Sequence, residues 1–301
     1  MAIAGAMPLW PECLPCILAM VEGVALLAIP NEADRRAFLA DVRSMPAFSG
    51  DAGGRSSPET VLEVWQELVR RSADPDPLRD VKERQNAEAL ALLPAARERV
   101  AGSADPLAAA VRLAIGGNAL DAMVGVNADP ARTFLEETLA LPLDAVECAE
   151  CRRRLLAARR VAYVTDNCGE IVFDRLLLEV LRGLHPLGPD LEVTVVTRSL
   201  PALNDATLAD AHAVGLDRVA VVVENGIEVP LPGTSLGLVA DSVGRLLREA
   251  DVVVVKGVAN YELLGNHPAL EARGTFLLQG KCEPICRATS AARGSLILRN
   301  V

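Results

Sequence analysis

Short apolar runs rich in β-branched residues recur after Arg160, and they constrain the fold more than any other feature of the sequence. The runs are 161–165, 193–197, 219–223, 252–255, 276–278 and 296–298. Helical patterns separate most of them, at 171–184, 206–214, 236–249 and 263–272. Near-continuous apolar strands that alternate with helices are typical of a parallel sheet covered on both faces. We therefore predict an α/β/α three-layer, Rossmann-like domain with a mainly parallel sheet over residues 159–301.

The first half of the chain has a different pattern. Apolar residues there recur at three- and four-residue spacing, as at Leu62, Trp65, Leu68 and Val69, which favours amphipathic helices. No run in this half reads as a strand. We predict an all-helical N-terminal domain or cap over residues 1–158.

Composition and charge exclude several classes of protein. Hydrophobic residues make up 51% of the chain and charged residues 23%, which is typical of a globular protein with a packed core. The net charge is −10, aromatic residues are 3%, and the longest basic run is Arg152–Arg154. A nucleic-acid binder usually has a basic stripe or stacking aromatics. We therefore expect no nucleic-acid partner.

The sequence also indicates where the protein works. The N-terminus has no basic region, and no apolar run approaches the length of a membrane span. Seven cysteines, an odd number without a signal peptide, favour a reducing compartment over a disulfide framework. We expect a cytoplasmic protein that does not bind membranes.

Polar residues follow the first predicted strand. Asp166, Asn167, Gly169 and Glu170 stand between that strand and the next helix, where a dinucleotide-binding domain would have a glycine-rich loop. Ligands of open α/β sheets bind beyond the carboxyl ends of the strands. Carboxylate and amide oxygens suit Mg²⁺ or Mn²⁺, and the helix N-terminus could hold an anion. The alternative is that Asp166 or Asn167 only caps the helix.

Two later strands end in residues of similar chemistry. Asp205 follows the second strand and could reach the same ion as Asp166, although it could also be a helix cap. Arg198 at that strand end suits a phosphate, or lies on the surface. Lys256 ends the fourth strand, where burial of an ammonium is expensive without an anionic partner, and Gly257 allows close backbone approach. In the helical half, Asn118 and Asp121 share a helix face and could close the site, or form a local polar pair.

Taken together, these segments resemble the prokaryotic branch of the damage-control phosphatase family, the former domain of unknown function 89. The motifs stand in this order: Glu12-Cys13-x-x-Cys16, Gly117-Asn118-x-x-Asp121, Asp166-Asn167-x-Gly169-Glu170, Leu203-Asn204-Asp205-Ala206-Thr207, Lys256-Gly257-x-x-Asn260-Tyr261-Glu262 and Lys281-Cys282-x-Pro284. Ala259 stands where that family pattern has glycine. The resemblance extends from about residue 12 to the C-terminus.

The resemblance implies a helical region on an α/β/α domain and a divalent metal ion (Mn²⁺, Co²⁺, Ni²⁺ or Mg²⁺) bound by Asp166, Asn167 and Asp205. It also implies hydrolysis of small phosphomonoesters, such as sugar phosphates or damaged phosphometabolites. We predict catalytic roles for Asp166, Lys256 and Glu170. Substrate binding is assigned to five residues: Asn118, Asp121, Arg198, Asn260 and Glu262.

The predicted mechanism places Lys256, and also Arg198, against the charge that develops on the phosphoryl oxygens. The nucleophile is either a water whose pKa the metal lowers or the Asp166 carboxylate itself. Glu170 or Glu262 would act as the general base. The sequence does not choose between these routes.

We also consider other functions. A haloacid-dehalogenase-type phosphatase also has an Asp after its first strand, but it would have a second Asp where Cys168 stands. The chain could instead be an adenosylmethionine-dependent carboxyl methyltransferase, or a non-catalytic protein that binds a metal or a phosphometabolite. Two Cys-x-x-Cys pairs, Cys13 with Cys16 and Cys148 with Cys151, match the spacing of a four-sulfur zinc site, or are plain thiols. A homodimer is compatible with the sequence.

Overall fold

A computed structural model describes residues 3–50, 53–117 and 130–301. In these ranges seven helices precede the sheet: α1 (Cys13–Ala28), α2 (Glu32–Ser44), α3 (Ser57–Ser72), α4 (Arg79–Ala101), α5 (Pro106–Gly116), α6 (Pro130–Ala140) and α7 (Ala145–Ala157). The strands are β1 (Arg160–Val164), β2 (Glu192–Thr197), β3 (Val221–Glu224), β4 (Val252–Lys256), β5 (Gly274–Gln279) and β6 (Leu296–Asn300). Among them lie α8 (Glu170–Leu184), α9 (Leu208–Ala213), α10 (Asp241–Glu249), α11 (Val258–Leu264) and α12 (Glu283–Thr289).

The six strands form one sheet in the order β3-β2-β1-β4-β5-β6. Strands β1 to β5 run parallel, and β6 pairs antiparallel with β5. The predicted fold class, a mainly parallel sheet in an α/β/α arrangement, is confirmed. Because the strand order reverses between β1 and β4, the crevice beyond their carboxyl ends is the topological switch point at which such sheets bind ligands.

Strands β1, β2, β4 and β5 are buried on both faces, since helices cover each face, whereas the edge strand β3 is half-exposed. Val161 and Tyr163 of β1 belong to one hydrophobic core, whereas Ala162 and Val164 belong to the core on the other face. This alternation follows from the two-residue period of a strand. It explains why the sequence of these strands is continuously apolar.

The described part of residues 1–158 contains helices and no strand. Helices α1 to α3 enclose a small apolar core of their own that includes Phe38 and Trp65. Helices α4 and α5 pack instead into the same core as α8 and β1. The division of the chain into two domains at residue 158 stays a prediction. Among the described residues, no helix is both long enough and apolar enough to span a bilayer.

Candidate active site at the carboxyl ends of the strands

Asp166 lies at the switch point between β1 and β4. The residue is 5% exposed, and its side chain contacts the backbone of Gly257, which directly follows β4. A Cβ atom at Gly257 would lie 1.9 Å from Asp166 Oδ2, and Gly257 has a φ of +82°. Burial raises the pKa of Asp166 well above its usual range, and the Asp205 and Glu170 carboxylates raise it further, against the opposing charges of Arg198 and Lys281.

The loops after β1 and β2 are joined through their backbones. Asn167 and Asp205 form an antiparallel bridge. The Cys168 amide donates to the Asn204 carbonyl at 2.9 Å, and the Ala206 amide donates to the Asp166 carbonyl at 2.8 Å. The structure thus brings Asp166, Asn167 and Asp205 together on two adjacent segments.

Arg198 is buried between the two carboxylates, at 1% exposed, and does not lie on the surface. Its Nε donates to Asp205 Oδ2 at 2.6 Å, and its Nη1 donates to Thr234 Oγ1 at 2.9 Å. Its Nη2 lies 3.8 Å from Asp166 Oδ1. Asp205 Oδ2 also accepts from the Gly233 amide at 3.1 Å. A cation therefore already bridges the acids from one side, which fixes their separation.

The chemistry of this donor set fits a divalent cation. Asp166, Asn167 and Asp205 offer hard oxygen ligands, and the mutual repulsion of the carboxylates is what a bound cation would relieve. Asn167 Nδ2 donates to Asp166 Oδ2 at 3.0 Å, which orients the amide beside the acid. Within the described residues, no three side chains of His, Cys, Asp or Glu gather into a metal-binding group. The donor set at the strand ends has two carboxylates and one amide.

Lys256 differs from the prediction of a phosphate contact. It is fully buried, and its Nζ donates to the Ala114 carbonyl at 2.6 Å, to Asp174 Oδ1 at 2.7 Å and to Glu170 Oε1. An ammonium group has three donors, and these three acceptors use all of them. Burial lowers the pKa of Lys256, but Asp174 and Glu170 outweigh it and raise the pKa overall. The ammonium therefore neutralises two acids and does not face an open ligand site.

Glu170, the first residue of α8, lies in this network with Asp174 one turn later. Burial raises the pKa of Glu170, against the opposing charge of Lys256. Asp174 Oδ1 also accepts from the Tyr163 hydroxyl at 2.8 Å. Sequence reasoning missed Asp174 and Tyr163. The signal that could have found Asp174 was its position four residues after Glu170, among the buried apolar residues of α8.

Asn260 and Glu262 are placed differently from one another. Asn260 is buried and its Nδ2 donates to the carbonyls of Thr165, at 2.9 Å, and Lys256, at 2.7 Å. It therefore joins the ends of β1 and β4. Glu262 hydrogen-bonds Ser57 at the start of α3, and burial raises its pKa to about 7. Asn118 and Asp121 lie outside the described residues, and their predicted roles stay predictions.

Helix α4 contributes buried polar residues that sequence reasoning did not assign to the site. Lys82, Gln85 and Asn86 are buried and point at the two loops that follow β1 and β2. Asn86 Oδ1 accepts from the Gly169 amide at 2.7 Å. These positions continue the apolar stripe of α4 toward its N-terminus, at a spacing that includes Ala89, and this was the signal that could have identified them.

Lys281 is a further residue near the site. Its side chain is exposed, yet its charge lowers the pKa of both Asp166 and Glu170. An exposed ammonium beside a buried acid cluster suits a phosphate group that enters from solvent. Sequence reasoning placed Lys281 only within a family motif.

The cysteine pairs do not form a zinc site. Cys13 belongs to the core of α1 to α3, whereas Cys151 belongs to the core shared with α8 and β1. Burial raises the pKa of Cys151 to about 12. All seven cysteines are free thiols. Of the two alternatives that the sequence leaves open for these pairs, the described residues fit plain thiols and not a four-sulfur zinc site.

Comparison with known proteins identifies the family. The family model described as the damage-control phosphatase ARMT1-like domain matches residues 9–297. A damage-control phosphatase from Archaeoglobus fulgidus is 36% identical over 233 residues, covering 75% of this chain and 76% of that protein. A damage-control phosphatase from Pyrococcus horikoshii is 32% identical over 192 residues, covering 64% of each.

Comparison with solved structures identifies the same family. The crystal structure of a domain of unknown function 89 family protein from Pyrococcus horikoshii matches with a TM-score of 0.85 and 26% identity, over 98% of this chain and 100% of that chain. The similarity therefore includes the helical half as well as the sheet. The chain belongs to the damage-control phosphatase family, which confirms the resemblance of its strand-end motifs.

Proposed function

We propose that this protein is a metal-dependent phosphatase that hydrolyses small phosphomonoesters, such as sugar phosphates or damaged phosphometabolites. The observation that supports this most directly is the meeting of Asp166, Asn167 and Asp205 on two hydrogen-bonded loops at the switch point of the sheet. Family membership supports the same reaction class. The loop after β1 has an acid, an amide and a single glycine, so it does not favour methyl transfer from adenosylmethionine.

Asp166, Asn167 and Asp205 would hold the divalent ion, which in this protein is Mn²⁺, Co²⁺, Ni²⁺ or Mg²⁺. A divalent ion at such a site polarises a phosphoryl oxygen and lowers the pKa of water. Arg198 restrains Asp205 through its Nε and directs its Nη2 toward Asp166. It therefore fixes the spacing of the two acids and offsets negative charge when a phosphate enters.

The remaining charges have distinct roles. Lys281 supplies an exposed ammonium for the phosphate group, because it is near Asp166 and open to solvent. Glu170 is the general acid or base, with a raised pKa and one oxygen bonded to Lys256. Lys256 acts through Glu170 and is a positioning residue. Either water or the Asp166 carboxylate attacks phosphorus. Lys281, Glu170 and Lys256 keep the same roles in both routes.

The substrate is a small phosphorylated metabolite, and Asn118 and Asp121 stay proposed residues for its binding. Gly117, the last described residue before Asn118, lies against α8. A Cβ atom at Gly117 would be 3.2 Å from the Glu170 Cα. Gly117 itself therefore lies beside the predicted acid or base. A cytoplasmic location and a homodimer remain part of the proposal.

The test is phosphate release from a panel of sugar phosphates and p-nitrophenyl phosphate. Purified protein is assayed with EDTA, and then with Mn²⁺, Co²⁺, Ni²⁺ or Mg²⁺. We expect metal-restored release that is lost in Asp166→Ala and kept in a control at an exposed acid, Asp190→Asn. A folded Asp166→Ala protein with full turnover would contradict the proposed site. Folded, metal-loaded protein without any release would favour the non-catalytic binding role.

A further inference from the structure

Helix α4 contacts both loops that hold the proposed metal ligands. We propose that α4 is the positioning element of this site, and that Lys82 and Asn86 hold the two loops in the register that brings Asp166, Asn167 and Asp205 together. The inference rests on the proposed metal site. It assigns a role in the chemistry of the strand ends to a helix from the N-terminal half.

The first contact fixes the loop after β1. Gly169 precedes α8 and has no side chain to cap the free amides of that helix. Asn86 supplies the acceptor instead, with its Oδ1 2.7 Å from the Gly169 amide. A Cβ atom at Gly169 would lie 3.2 Å from the Gln85 carbonyl oxygen, so the backbones of α4 and the loop are in close contact. Asp166 and Asn167 therefore lie on a loop whose last residue, Gly169, is bound to α4.

The second contact fixes the loop after β2. Lys82 Nζ lies 2.6 Å from Asp76 Oδ2 and 3.3 Å from Asp210 Oδ2. The same Asp210 oxygen accepts from the Thr207 amide at 3.0 Å and from its hydroxyl at 2.6 Å. Thr207 is the N-cap of α9 and lies two residues after Asp205. Lys82 thereby anchors the end of the Asp205 loop to α4.

A third contact lies between these two. Asn204 Nδ2 lies 3.4 Å from Gln85 Oε1, and Asn204 is the residue whose carbonyl accepts from the Cys168 amide. One face of α4 thus reaches the first loop, the second loop and the point where the loops pair.

The presence of a lysine at position 82 also supports a positioning role for α4. The chain has 30 basic residues, of which three are lysines: Lys82, Lys256 and Lys281. Each of them lies near acidic side chains. Lys82 pairs with Asp76 and Asp210, Lys256 pairs with Glu170 and Asp174, and the charge of Lys281 lowers the pKa of Asp166. A lysine presents a compact ammonium, whereas an arginine presents a wide planar fork. Lys82 is 2% exposed and lies between the carboxylates of Asp76 and Asp210, a position that suits the compact group.

The change in stability on neutralising the Asp76, Lys82 and Asp210 cluster distinguishes a positioning role from a purely structural one. A buried ion cluster is weak evidence for stability, because well-packed neutral residues often replace it without loss. Its best-attested use is to specify register. Neutralising the whole cluster should therefore leave stability near that of wild type while loosening the loops.

The experiment compares the triple variant Asp76→Asn, Lys82→Met, Asp210→Asn with wild type and with Arg153→Met, which removes an exposed ion pair. Mn²⁺ affinity by calorimetry, kcat and KM for p-nitrophenyl phosphate, and thermal unfolding without metal are measured for each. We expect the triple variant to unfold within a few degrees of wild type, to bind Mn²⁺ at least about tenfold more weakly, and to lose more in kcat than in KM. The Arg153→Met protein should match wild type.

A second pair of variants addresses Asn86 alone. Asn86→Ala removes the acceptor for the Gly169 amide, whereas Asn86→Asp keeps an oxygen in that place. We expect Asn86→Ala to lose Mn²⁺ affinity and Asn86→Asp to regain most of it. Wild-type Mn²⁺ affinity and kcat in both the triple variant and Asn86→Ala would overturn the inference and leave the metal site intact. Failure of the wild-type protein itself to bind a divalent ion would instead overturn the proposed function.

Discussion

The close approach of Gly257 to Asp166 makes Gly257→Ala a test of how tightly the Asp166 carboxylate is confined. The added Cβ would lie 1.9 Å from Asp166 Oδ2 and 2.2 Å from its Cγ. Real Cβ contacts are essentially never shorter than 3.0 Å, so either the carboxylate or the backbone after β4 must move by about 1 Å. Arg198, Asn167 and the loop backbone all restrain the carboxylate.

Two costs follow from this geometry. Gly257 has φ +82° and ψ 170°, a region that only glycine populates freely, and another residue there costs about 1–3 kcal/mol of folding free energy. A displacement of about 1 Å at a catalytic group costs about 100-fold in rate. We therefore expect Gly257→Ala to lower kcat/KM for p-nitrophenyl phosphate about 100-fold in the presence of Mn²⁺.

Gly294→Ala is the matched control. Gly294 has a φ of +85°, and a Cβ atom there would have nothing within 4 Å. That variant meets a similar backbone penalty without a contact at the site. Unfolding in urea reports the stability of both variants. A folded Gly257→Ala protein with the activity of Gly294→Ala would refute the confinement of Asp166 by this contact.

Three further predictions follow. Burial raises the pKa of Glu262 from 4.5 to about 7, so the folded state binds more protons than the unfolded state between these two pH values. The free energy of unfolding should therefore fall as pH rises from about 4.5 to 7 and then level off. Glu262→Gln should remove this dependence and raise the free energy of unfolding in urea at pH 8 by up to about 3 kcal/mol. Lys256→Met leaves the carboxylates of Glu170 and Asp174 buried without a cation, and should lower the free energy of unfolding at pH 7 by about 3–5 kcal/mol; an unchanged urea midpoint would contradict this. Mn²⁺ at about 100 times its dissociation constant should stabilise the EDTA-treated protein by about 2.7 kcal/mol, which raises its unfolding temperature. If Mn²⁺ raised the unfolding temperature of Asp205→Asn as much as that of wild type, this would argue against the assigned ligands.

Much of the fold follows from local pattern. Every predicted run of β-branched residues overlaps a strand of the sheet. The runs at 161–165, 193–197 and 252–255 lie in strands buried on both faces, whereas the run at 219–223 lies in the half-exposed edge strand β3. The helix predicted at 236–249 begins only at Asp241, because apolar periodicity continues through the preceding loop while its hydrogen bonds do not. The antiparallel pairing of β6 was not evident, since an edge strand of either direction has the same apolar pattern.

The site was predictable where the fold alone brings residues together. Asp166, Asn167 and Asp205 follow adjacent parallel strands, so their meeting follows from the strand-end rule. Lys82 and Asn86 were not predictable in the same way, because each has a partner more than 80 residues away in the chain. That partner is Asp210 for Lys82 and the Gly169 amide for Asn86. The position of Lys256 was expected, yet its partners Ala114 and Asp174 come from helix packing that no local pattern encodes.

The central claim is that Asp166, Asn167 and Asp205 hold a divalent ion that phosphate release requires. The most direct measurement titrates Mn²⁺ into EDTA-treated protein while phosphate release from p-nitrophenyl phosphate is recorded, for wild type and for Asp205→Asn. We predict a saturable rise in wild type and a rate at least about 100-fold lower in folded Asp205→Asn at the same Mn²⁺ concentration. Full turnover by the metal-free wild type, or by folded Asp205→Asn, would contradict this claim.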